Sequence, residues 1–578
     1  MTGAESLVAA LEAAGTEVVF GALPVNPVPT GSTAIRFVPV RHQQGAGHAA
    51  AGYALATGRV GVCMAASGHG VTDLVTSLAD AFMDSVSIVA VIGPATDRFL
   101  GSSVTPETDT FGITMPVTKH NYTVTAADDV APTIADAFRL ASTGRTGPVV
   151  VDITRTALRD LVSARGSGGA EFGHPERDRP ECPTTTSPVP GLNAAIEEIR
   201  TAERPVLYVG GGVIRSGASP ELHRFVDATQ IPVVTTLMAR GALPDSHPRH
   251  LGMPGMHGTV PAVAALQLSD LIIALGARFD DRVTGDPETF APHARVVHAD
   301  IDPAEIGKNR AVDVGLIADC KDVLEALTSA LPTGRLPDLT RWHHRLASLT
   351  QRYPLGYDEP TDGSLAPQFV ISRLNELVGG PGTVFTTGVG QHQMWAAQFI
   401  SFVDPSSWLT SGGLGTMGFG IPAAMGAKVA RPEASVWCID GDGCFQMTSR
   451  ELATCALEGI PIKVALINNG SLGMVRQLQS LYYDDRVNNV DLTASPSSHG
   501  IPDFAMLADA LGCVGLVCDS ADQVDVTIAK AMAVCDLPVI IDFRVNRQAL
   551  VWPSIAAGAS NDDIQYARGL APAFDTDE

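Results

Sequence analysis

The sequence predicts an α/β protein of three domains, each built on a doubly wound parallel sheet. A chain of 578 residues is too long for one hydrophobic core, and three domains are the natural expectation for that length. Short runs rich in β-branched residues alternate with helical patterns in three successive blocks. In the third block, two polar motifs each follow a buried-strand pattern, and ligands of such folds bind at the carboxyl ends of the strands.

The first block covers residues 1–162 and contains strand patterns at 60–64, 87–92 and 148–153. Helical patterns separate these strands, which favours a parallel sheet. Residues 163–188 are rich in Gly, Pro, Ser and Thr. They are predicted to be a linker.

The second block, residues 189–345, begins with a helix near Leu192. Strand patterns then follow at 205–209, 232–236, 271–275 and 295–300. The alternation predicts a second parallel sheet. Residues 346–366 are predicted to be a second, loosely structured linker.

The third block, residues 367–557, carries both polar motifs. A strand pattern at 434–439 leads to Gly441-Asp442-Gly443, a helical pattern follows at 449–458, and a strand pattern at 462–467 leads to Asn468-Asn469. Asp442 and Asn469 offer the oxygen ligands that Mg²⁺ prefers, with diphosphate oxygens completing its octahedron. The glycines let backbone approach a phosphate closely. A turn after a buried strand would explain the first motif alone, but it does not explain the two motifs together.

Composition excludes several classes of protein. Hydrophobic residues make up 45% and charged residues 17% of the chain, which is typical of a globular protein. The net charge of −23 argues against nucleic acid or an anionic membrane as a partner. The nine cysteines form no CxxC pairs, so neither a zinc site nor a disulfide framework is indicated. We expect no signal peptide, no membrane span and a cytoplasmic location. The acidic tail, residues 558–578, is expected to be mobile at its end.

Several longer strings carry a resemblance to one family. They are Gly-Met-Pro-Gly-Met-His-Gly-Thr at 252–259, Gly-Ala-Arg-Phe-Asp-Asp-Arg at 276–282, Asp-Ile-Asp-Pro-Ala-Glu-Ile at 300–306, Gly-Gln-His-Gln-Met-Trp at 390–395 and Ser-Gly-Gly-Leu-Gly-Thr-Met-Gly at 411–418. Together with the two polar motifs, they resemble the large catalytic subunit of acetolactate (acetohydroxyacid) synthase, a thiamine diphosphate (ThDP) enzyme. The resemblance spans roughly residues 4 to 560.

The resemblance implies the fold of the ThDP enzymes. Residues 1–162 would form the pyrimidine-binding domain, 189–345 a central FAD-binding domain and 367–557 the diphosphate-binding domain. In this family each active site lies between the first domain of one subunit and the third domain of another. A homodimer or homotetramer is therefore implied, and a regulatory small subunit or a second large subunit is a further candidate partner.

The resemblance also implies the cofactor contacts. Mg²⁺ would be held by Asp442, Asn469 and the main-chain carbonyl of Ser471. Met417 would support the bent ThDP under its thiazolium ring, pressing the 4′-amino group against C2, although core packing is the alternative role for a methionine. The other expected ThDP contacts are Gln391, His392, Gly415, Gly441 and Gly443. The expected FAD contacts are Arg145, Gly211, Gly212, His257, Gly276, Arg278, Asp300 and Asp319. The flavin of this family has no redox role in turnover.

The first domain departs from the family where it should activate the cofactor. The family reads Arg-His-Glu-Gln-Gly-Ala, and this chain reads Arg-His-Gln-Gln-Gly-Ala at 41–46, so Gln43 replaces the glutamate. That glutamate hydrogen-bonds N1′ of the aminopyrimidine and favours the imino tautomer that removes the C2 proton. Glutamine can donate a hydrogen bond there but cannot exchange a proton. Losing one acid–base group typically costs on the order of 10² to 10⁴ in rate.

A neighbouring string changes as well. The family reads Ser-Gly-Pro-Gly-Ala-Thr-Asn, and this chain reads Ser-Gly-His-Gly-Val-Thr-Asp at 67–73. His69 and Asp73 add a titratable pair near the expected cofactor. His69 is a candidate proton relay, and a tolerated turn residue is the alternative.

The expected substrate pocket consists of Thr105, Pro106, Lys119, Met474 and Leu478. Thr105 and Pro106 replace Phe-Gln of the family. Leu478 replaces a tryptophan of the acceptor pocket, which enlarges the pocket and removes a stacking surface. The family's preference for 2-ketobutyrate as acceptor is therefore not carried over.

Three functions stay open on the sequence. The first is a ThDP- and Mg²⁺-dependent 2-oxoacid carboligase similar to acetolactate synthase, with a pyruvate-type donor and a carbonyl acceptor. The second is a specialised carboligase or lyase of secondary metabolism, with another donor or acceptor. The third is a non-catalytic or half-site subunit that works with a second ThDP-type chain.

Overall fold

A computed structural model of the chain describes residues 1–22, 33–95, 108–163, 189–331, 337–493 and 501–574. These residues form three sheets of five or six strands. The strands of each sheet pair in parallel. Each sheet falls within one predicted block, so the α/β class and the three doubly wound domains are confirmed.

The first sheet has the strand order β2-β1-β3-β4-β6-β5 in the described residues. Its strands are Val18–Gly21 (β1), Arg36–Val38 (β2), Gly61–Ala65 (β3), Ile88–Ala95 (β4), His120–Val124 (β5) and Val149–Thr154 (β6). The helices of this domain are Gly3–Ala13 (α1), Gln43–Thr57 (α2), His69–Met83 (α3), Thr110–Thr114 (α4), Val130–Ser142 (α5) and Arg155–Arg159 (α6). Strands β2 and β3, which precede α2 and α3, flank β1 in this order, so the amino ends of both helices lie at the edge where parallel sheets bind ligands.

The second sheet has the order β11-β10-β9-β7-β8. Its strands are Pro205–Val209 (β7), Val233–Thr235 (β8), Leu271–Leu275 (β9), Arg295–Asp300 (β10) and Val314–Ile317 (β11). The helices are Leu192–Thr201 (α7), Gly211–Arg215 (α8), Ser219–Thr229 (α9), Val260–Gln267 (α10), Asp281–Thr284 (α11), Cys320–Ala330 (α12) and Thr340–Arg352 (α13). Helix α13 crosses the predicted boundary at residue 345, because Trp342, Leu346 and Leu349 form a buried stripe at helical spacing. The loosely structured segment therefore begins only after Arg352.

The third sheet has the order β13-β12-β14-β15-β17-β16 in the described residues. Its strands are Thr383–Thr387 (β12), Trp408–Leu409 (β13), Ser435–Gly441 (β14), Lys463–Asn468 (β15), Val514–Cys518 (β16) and Val539–Arg544 (β17). The helices are Pro367–Val378 (α14), Gln391–Phe399 (α15), Gly420–Ala430 (α16), Asp442–Thr448 (α17), Glu451–Leu457 (α18), Gly473–Tyr482 (α19), Phe504–Ala510 (α20) and Val524–Ala533 (α21). The helical pattern expected at 449–458 is only the second of two short helices, because α17 begins directly at Asp442.

The first and third domains meet through two helices rich in small residues, α2 and α16. A Cβ on Gly52 would lie 2.6 Å from the Cα of Ala423, and one on Gly426 would lie 2.0 Å from the carbonyl oxygen of Ala49. Glycine at both positions lets the two backbones touch. This contact places the amino end of α2, where Gln43 lies, against the domain that carries Asp442.

The acidic tail packs against the second domain over its described part. Ile564 is fully buried in a cluster with Val260 and Tyr353. The side-chain amide of Asn561 donates to the carbonyl of Val283 at 3.1 Å. The expectation of a mobile end falls on residues 575–578, outside the described residues. No helix in the described part of the chain is long and apolar enough to cross a bilayer.

Candidate active site

Asp442 stands at the carboxyl end of β14 and begins α17. The register pairs Gly441 with Ile467, so Asn468 and Asn469 follow at the same edge of the sheet. Asp442 is only 1% exposed, and burial raises its pKa to about 6, opposed by a hydrogen bond from the backbone N–H of Asn469. Its Oδ2 has no hydrogen-bond partner among the described residues. An orphaned, buried carboxylate oxygen is a position that a cation would satisfy.

The side chains around Asn469 hold its amide in one orientation. Its Oδ1 accepts the backbone N–H of Ser471 at 3.0 Å, and its Nδ2 donates to Oε1 of Gln391 at 3.4 Å. Gln391 in turn donates to Oε1 of Gln477 at 2.8 Å. The amide oxygen keeps a second lone pair for a metal, so Asp442, Asn469 and Ser471 have the oxygen chemistry that Mg²⁺ requires.

His392 supports the two glycine turns beside this site. A Cβ on Gly441 would lie 2.7 Å from its Nδ1, and one on Gly390 would lie 2.9 Å from its Cε1. Its Nε2 lies 3.4 Å from Oδ1 of Asp440. His392, Asp440 and Cys444 are close enough to share a metal, but burial holds the pKa of Cys444 well above its usual range. Without a metal, the thiol therefore stays protonated.

Met417 lies beside the first polar motif. Its Cε is 3.9 Å from the position of a Cβ on Gly443. The turn before it contains Gly415, with a φ of +74°, and Gly418 donates its N–H to Sγ of Cys444 at 3.0 Å. The structure thus brings together Met417, Asp442, Gly443 and the asparagine loop.

Two buried carboxylates of α3 hold the loop that precedes Met417, and the sequence reasoning missed them. Asp84 accepts the backbone N–H groups of Gly412 and Gly413 at 3.0 and 2.7 Å. Asp80 accepts the hydroxyls of Ser411 and Thr416. The signal was available, because Asp80 falls on the buried, mainly apolar face of an amphipathic helix, and a buried charge needs partners.

Gln43 is the first residue of α2, and Glu451 of the third domain fixes the chain just before it. Glu451 is fully buried and accepts the backbone N–H groups of Arg41 and His42 at 3.0 and 2.9 Å. It also accepts the hydroxyl of Thr454 at 2.8 Å. The side chain of Gln43 faces the start of α3, where its Cγ lies 3.6 Å from the position of a Cβ on Gly70.

Asp73 does not pair with His69, the partner that the sequence suggested. Its Oδ2 lies 3.4 Å from Nε2 of His42. His69 is exposed at the first position of α3, and its carbonyl accepts the hydroxyl of Thr72. His42 precedes Gln43 directly, so the His42–Asp73 contact lies beside the residue that replaces the family's glutamate.

All eight expected FAD contacts line one long cleft of about 1810 Å³ between the domains. Gly212 and Gly276 touch there, since a Cβ on Gly212 would lie 2.7 Å from the Cα of Gly276. Burial lowers the pKa of His257 to about 4, and neither of its ring nitrogens has a hydrogen-bond partner in the described part of the chain. A neutral imidazole with two unsatisfied nitrogens in a cleft of this length fits a large polar cofactor such as FAD.

Arg145 connects the first domain to this cleft. Its guanidinium pairs with Glu305 at 2.6 Å and with Asp302 at 3.3 Å. Arg278 reaches back in the opposite direction and donates to the carbonyl of Met83 at 2.8 Å. These contacts position the walls of the cleft without any ligand.

The structure separates the expected substrate-pocket residues. Met474 lines the cleft, and Leu478 lies one turn later on α19, half-buried. Lys119 instead donates to the carbonyls of Leu140 and Thr143 at the end of α5, where a cation is favoured by the helix dipole. Thr105 and Pro106 lie outside the described residues.

The comparisons with known proteins agree with this architecture. Models of the thiamine pyrophosphate enzymes match residues 1–113 with the N-terminal TPP binding domain, 192–327 with the central domain and 388–543 with the C-terminal TPP binding domain. The acetolactate synthase of Mycobacterium leprae is 55% identical over 591 positions, covering 100% of this chain and 92% of the relative. The acetolactate synthase large subunit of Corynebacterium glutamicum is 52% identical over 587 positions, with coverage of 100% and 92%.

A more distant relative is similar over the same span. The acetolactate synthase isozyme 2 large subunit of Escherichia coli is 41% identical over 569 positions, covering 98% of this chain and 99% of the relative. The sheets, the motifs and these full-length similarities lead to one conclusion. The chain belongs to the thiamine pyrophosphate enzymes and, among them, to the family of acetolactate synthase large subunits.

Proposed function

We propose that the chain is a ThDP- and Mg²⁺-dependent carboligase that decarboxylates a pyruvate-type 2-oxoacid and joins the remaining fragment to a second carbonyl compound. The observation that carries the proposal is Asp442, a buried carboxylate with an unsatisfied oxygen at the carboxyl end of β14. The full-length similarity to acetolactate synthases supports the same reaction class.

The residues of the chain would divide the work as follows. Asp442, Asn469 and the Ser471 carbonyl would hold Mg²⁺, and the glycines at 441 and 443 would admit the diphosphate. Met417 would pack under the thiazolium ring beside Gly443. Bound ThDP would supply the reactive carbon for addition to the 2-oxoacid and an electron sink for the bonding pair that remains when CO₂ leaves. Gln43 would orient the aminopyrimidine by donating a hydrogen bond.

FAD is proposed as a structural cofactor in the long cleft. His257 offers two free ring nitrogens, and Gly211 and Gly212 allow close approach of the ligand to the start of α8. Asp300 and Asp319 also line the cleft. Their carboxylates can accept hydrogen bonds from the hydroxyls of a ribose. A purified protein that carries the flavin would be yellow, with the visible absorption of an oxidised flavin.

We further propose that the active unit is a homodimer or homotetramer, as the family's shared sites imply. Relatives in Corynebacterium glutamicum and Escherichia coli are described as large subunits. A regulatory small subunit is therefore a proposed partner, and primary branched-chain amino acid biosynthesis is the proposed setting.

The test is CO₂ release and acetolactate formation from pyruvate by the purified protein with ThDP, Mg²⁺ and FAD. We expect weak activity from the wild type and a gain of about tenfold or more in Gln43→Glu, because the variant restores an acid–base group. Asp442→Ala is the matched inactive control. No CO₂ from any of a panel of 2-oxoacids, with or without the glutamate, would contradict the proposal.

Two other outcomes separate the alternatives. A product that is not a 2-hydroxy-2-alkyl-3-oxoacid would favour a specialised carboligase, for which the smaller Leu478 side chain leaves room. Activity only after addition of a second ThDP-type large subunit would favour a half-site subunit.

A further inference from the structure

We propose that Asp73, oriented by His42, is the carboxyl group that exchanges a proton with the aminopyrimidine in this chain, in place of the glutamate replaced by Gln43. This inference rests on the proposed ThDP chemistry and adds a catalytic residue to it. The relevant observation is the His42–Asp73 pair, which joins the amino ends of α2 and α3.

Asp73 lies on the face of α3 that meets Gln43. Gly70 of α3 lies close to the Gln43 side chain, with 3.6 Å between the Gln43 Cγ and the position of a Gly70 Cβ. Residues three apart on a helix share a face, so Asp73 follows Gly70 one turn along the same face. A carboxylate at this position therefore stands beside the position that the family's glutamate would occupy.

The contacts of His42 place its ring beside Asp73. Its Nδ1 accepts the backbone N–H of Gln44 at 3.3 Å, so the proton of the neutral ring is on Nε2. Nε2 lies 3.4 Å from Oδ2 of Asp73. The ring nitrogen thus stands within ion-pair distance of one carboxylate oxygen, and the Asp73 side chain is still 33% exposed, which leaves the carboxyl accessible to a ligand.

The other carboxyl group close to Gln43 is not available for this work. Glu451 is fully buried, and its two oxygens already accept from Arg41, His42 and Thr454. A Cβ on Gly45 would lie 2.6 Å from its Oε1, which shows how tightly the group is enclosed. Glu451 positions the start of α2, whereas Asp73 remains accessible.

The proposed step is a proton exchange only. A proton of the Asp73 carboxyl moves to the ring nitrogen N1′ and returns when the cofactor is restored, so no other reactant is consumed. Positioning a carboxyl for such an exchange typically contributes on the order of 10² to 10⁴ in rate.

The experiment is a double-mutant cycle on Asp73 and Gln43 in the full-length protein with ThDP and Mg²⁺ but no 2-oxoacid. Two quantities are measured: the ThDP dissociation constant, by titration of protein fluorescence, and the rate of deuterium exchange at C2 of bound ThDP, by ¹H NMR after acid quench. Asp73→Asn should slow exchange by about tenfold or more and leave the dissociation constant within about threefold. In the Gln43→Glu background the same substitution should have little effect, because the two carboxyl groups serve the same nitrogen.

His42 is a positioning residue, and its variants test that role. His42→Ala should slow exchange, and His42→Gln should recover most of it, because the glutamine amide can donate to Asp73. Asp160→Asn, which alters an exposed aspartate of the same domain that pairs with Arg159, is the matched control and should change neither quantity.

Unchanged exchange in Asp73→Asn with ThDP bound would overturn the inference. An equal loss in both backgrounds would also overturn it, because Asp73 would then act independently of position 43. Since no 2-oxoacid is present, these outcomes are distinct from failure of the proposed function, which would show as intact exchange without CO₂ release from any 2-oxoacid.

Discussion

At the scale of single residues, Asp442 combines a cost in stability with its proposed role as a metal ligand. Its carboxyl is buried, and burial raises its pKa from 3.8 to about 6. A shift of that size corresponds to a penalty of about 3 kcal/mol for the charged form. The native state keeps the proton up to about pH 6, whereas the unfolded chain loses it near pH 4, so this contribution to stability falls as the pH rises between those values. Mg²⁺ would remove the penalty at neutral pH.

We therefore expect Asp442→Asn to be more thermostable than the wild type when both lack cofactors at pH 7, by about 2 °C or more. The same variant should lose the rise in melting temperature that Mg²⁺ and ThDP together produce in the wild type. Differential scanning fluorimetry with and without the two ligands measures both effects. Asp484→Asn, at an exposed aspartate paired with Arg486, should show neither effect. A variant that still responds to Mg²⁺ and ThDP would place the metal elsewhere.

At the scale of elements, α3 fixes the position of the loop that precedes Met417. Asp80 and Asp84 lie four residues apart on one face and bind the loop at 411–416 through two backbone N–H groups and two hydroxyls. Burial raises the pKa of both carboxyls to about 6. Arg215 and Arg278 oppose the rise at Asp84, and His48, 3.8 Å from Asp80, is neutral because burial lowers its pKa to about 3.

The raised pKa values of Asp80 and Asp84 make stability depend on pH. The native state binds more protons than the unfolded state between about pH 4 and 6, so the free energy of unfolding falls as the pH rises through that window. On going from pH 7 to pH 5, the wild type should therefore gain more stability than Asp80→Asn, by about 1 to 2 kcal/mol. Thermal unfolding of both proteins at the two pH values gives the difference. Equal gains would show that Asp80 is ionised over the whole range.

At the scale of the whole molecule, the residues that should act on ThDP are divided between two domains. Gln43, His42 and Asp73 lie in the first domain, and Asp442, Asn469 and Met417 in the third. The cleft of about 1810 Å³ is lined by neither Gln43 nor Asp442 among the described residues. A complete site built from two chains is the arrangement that the family implies.

Complementation tests this arrangement. Gln43→Trp fills the pyrimidine side of a site and Asp442→Ala removes the metal, so each variant alone should be inactive. If sites lie between subunits, a mixed dimer carries both changes in one site and neither in the other. About half of the dimers formed on coexpression are mixed, so coexpression should restore about a quarter of the wild-type sites. Acetolactate formation and bound ThDP per chain provide two readouts. No recovery in a confirmed mixed dimer would mean that each site lies within one chain.

The sequence by itself determined the three parallel sheets and the polar motifs at their strand ends. Strand periodicity and glycine turns are local properties, so the sequence patterns placed β7, β9 and β10 at their observed bounds and placed Asp442 and Asn469 at one edge of a sheet. The local pattern was less informative where a helix was short, as at α17, or where it crossed an expected linker, as at α13.

Tertiary structure alone decided which side chains become partners. Asp73 pairs with His42 rather than with His69, Glu451 holds the start of α2 from the third domain, and Asp84 binds the backbone of Gly412 and Gly413. These pairs join residues far apart in the chain or on different helices, and backbone N–H groups carry no sequence signature. The sequence shows that such buried acids need partners, and only the packing of the three domains determines which ones they find.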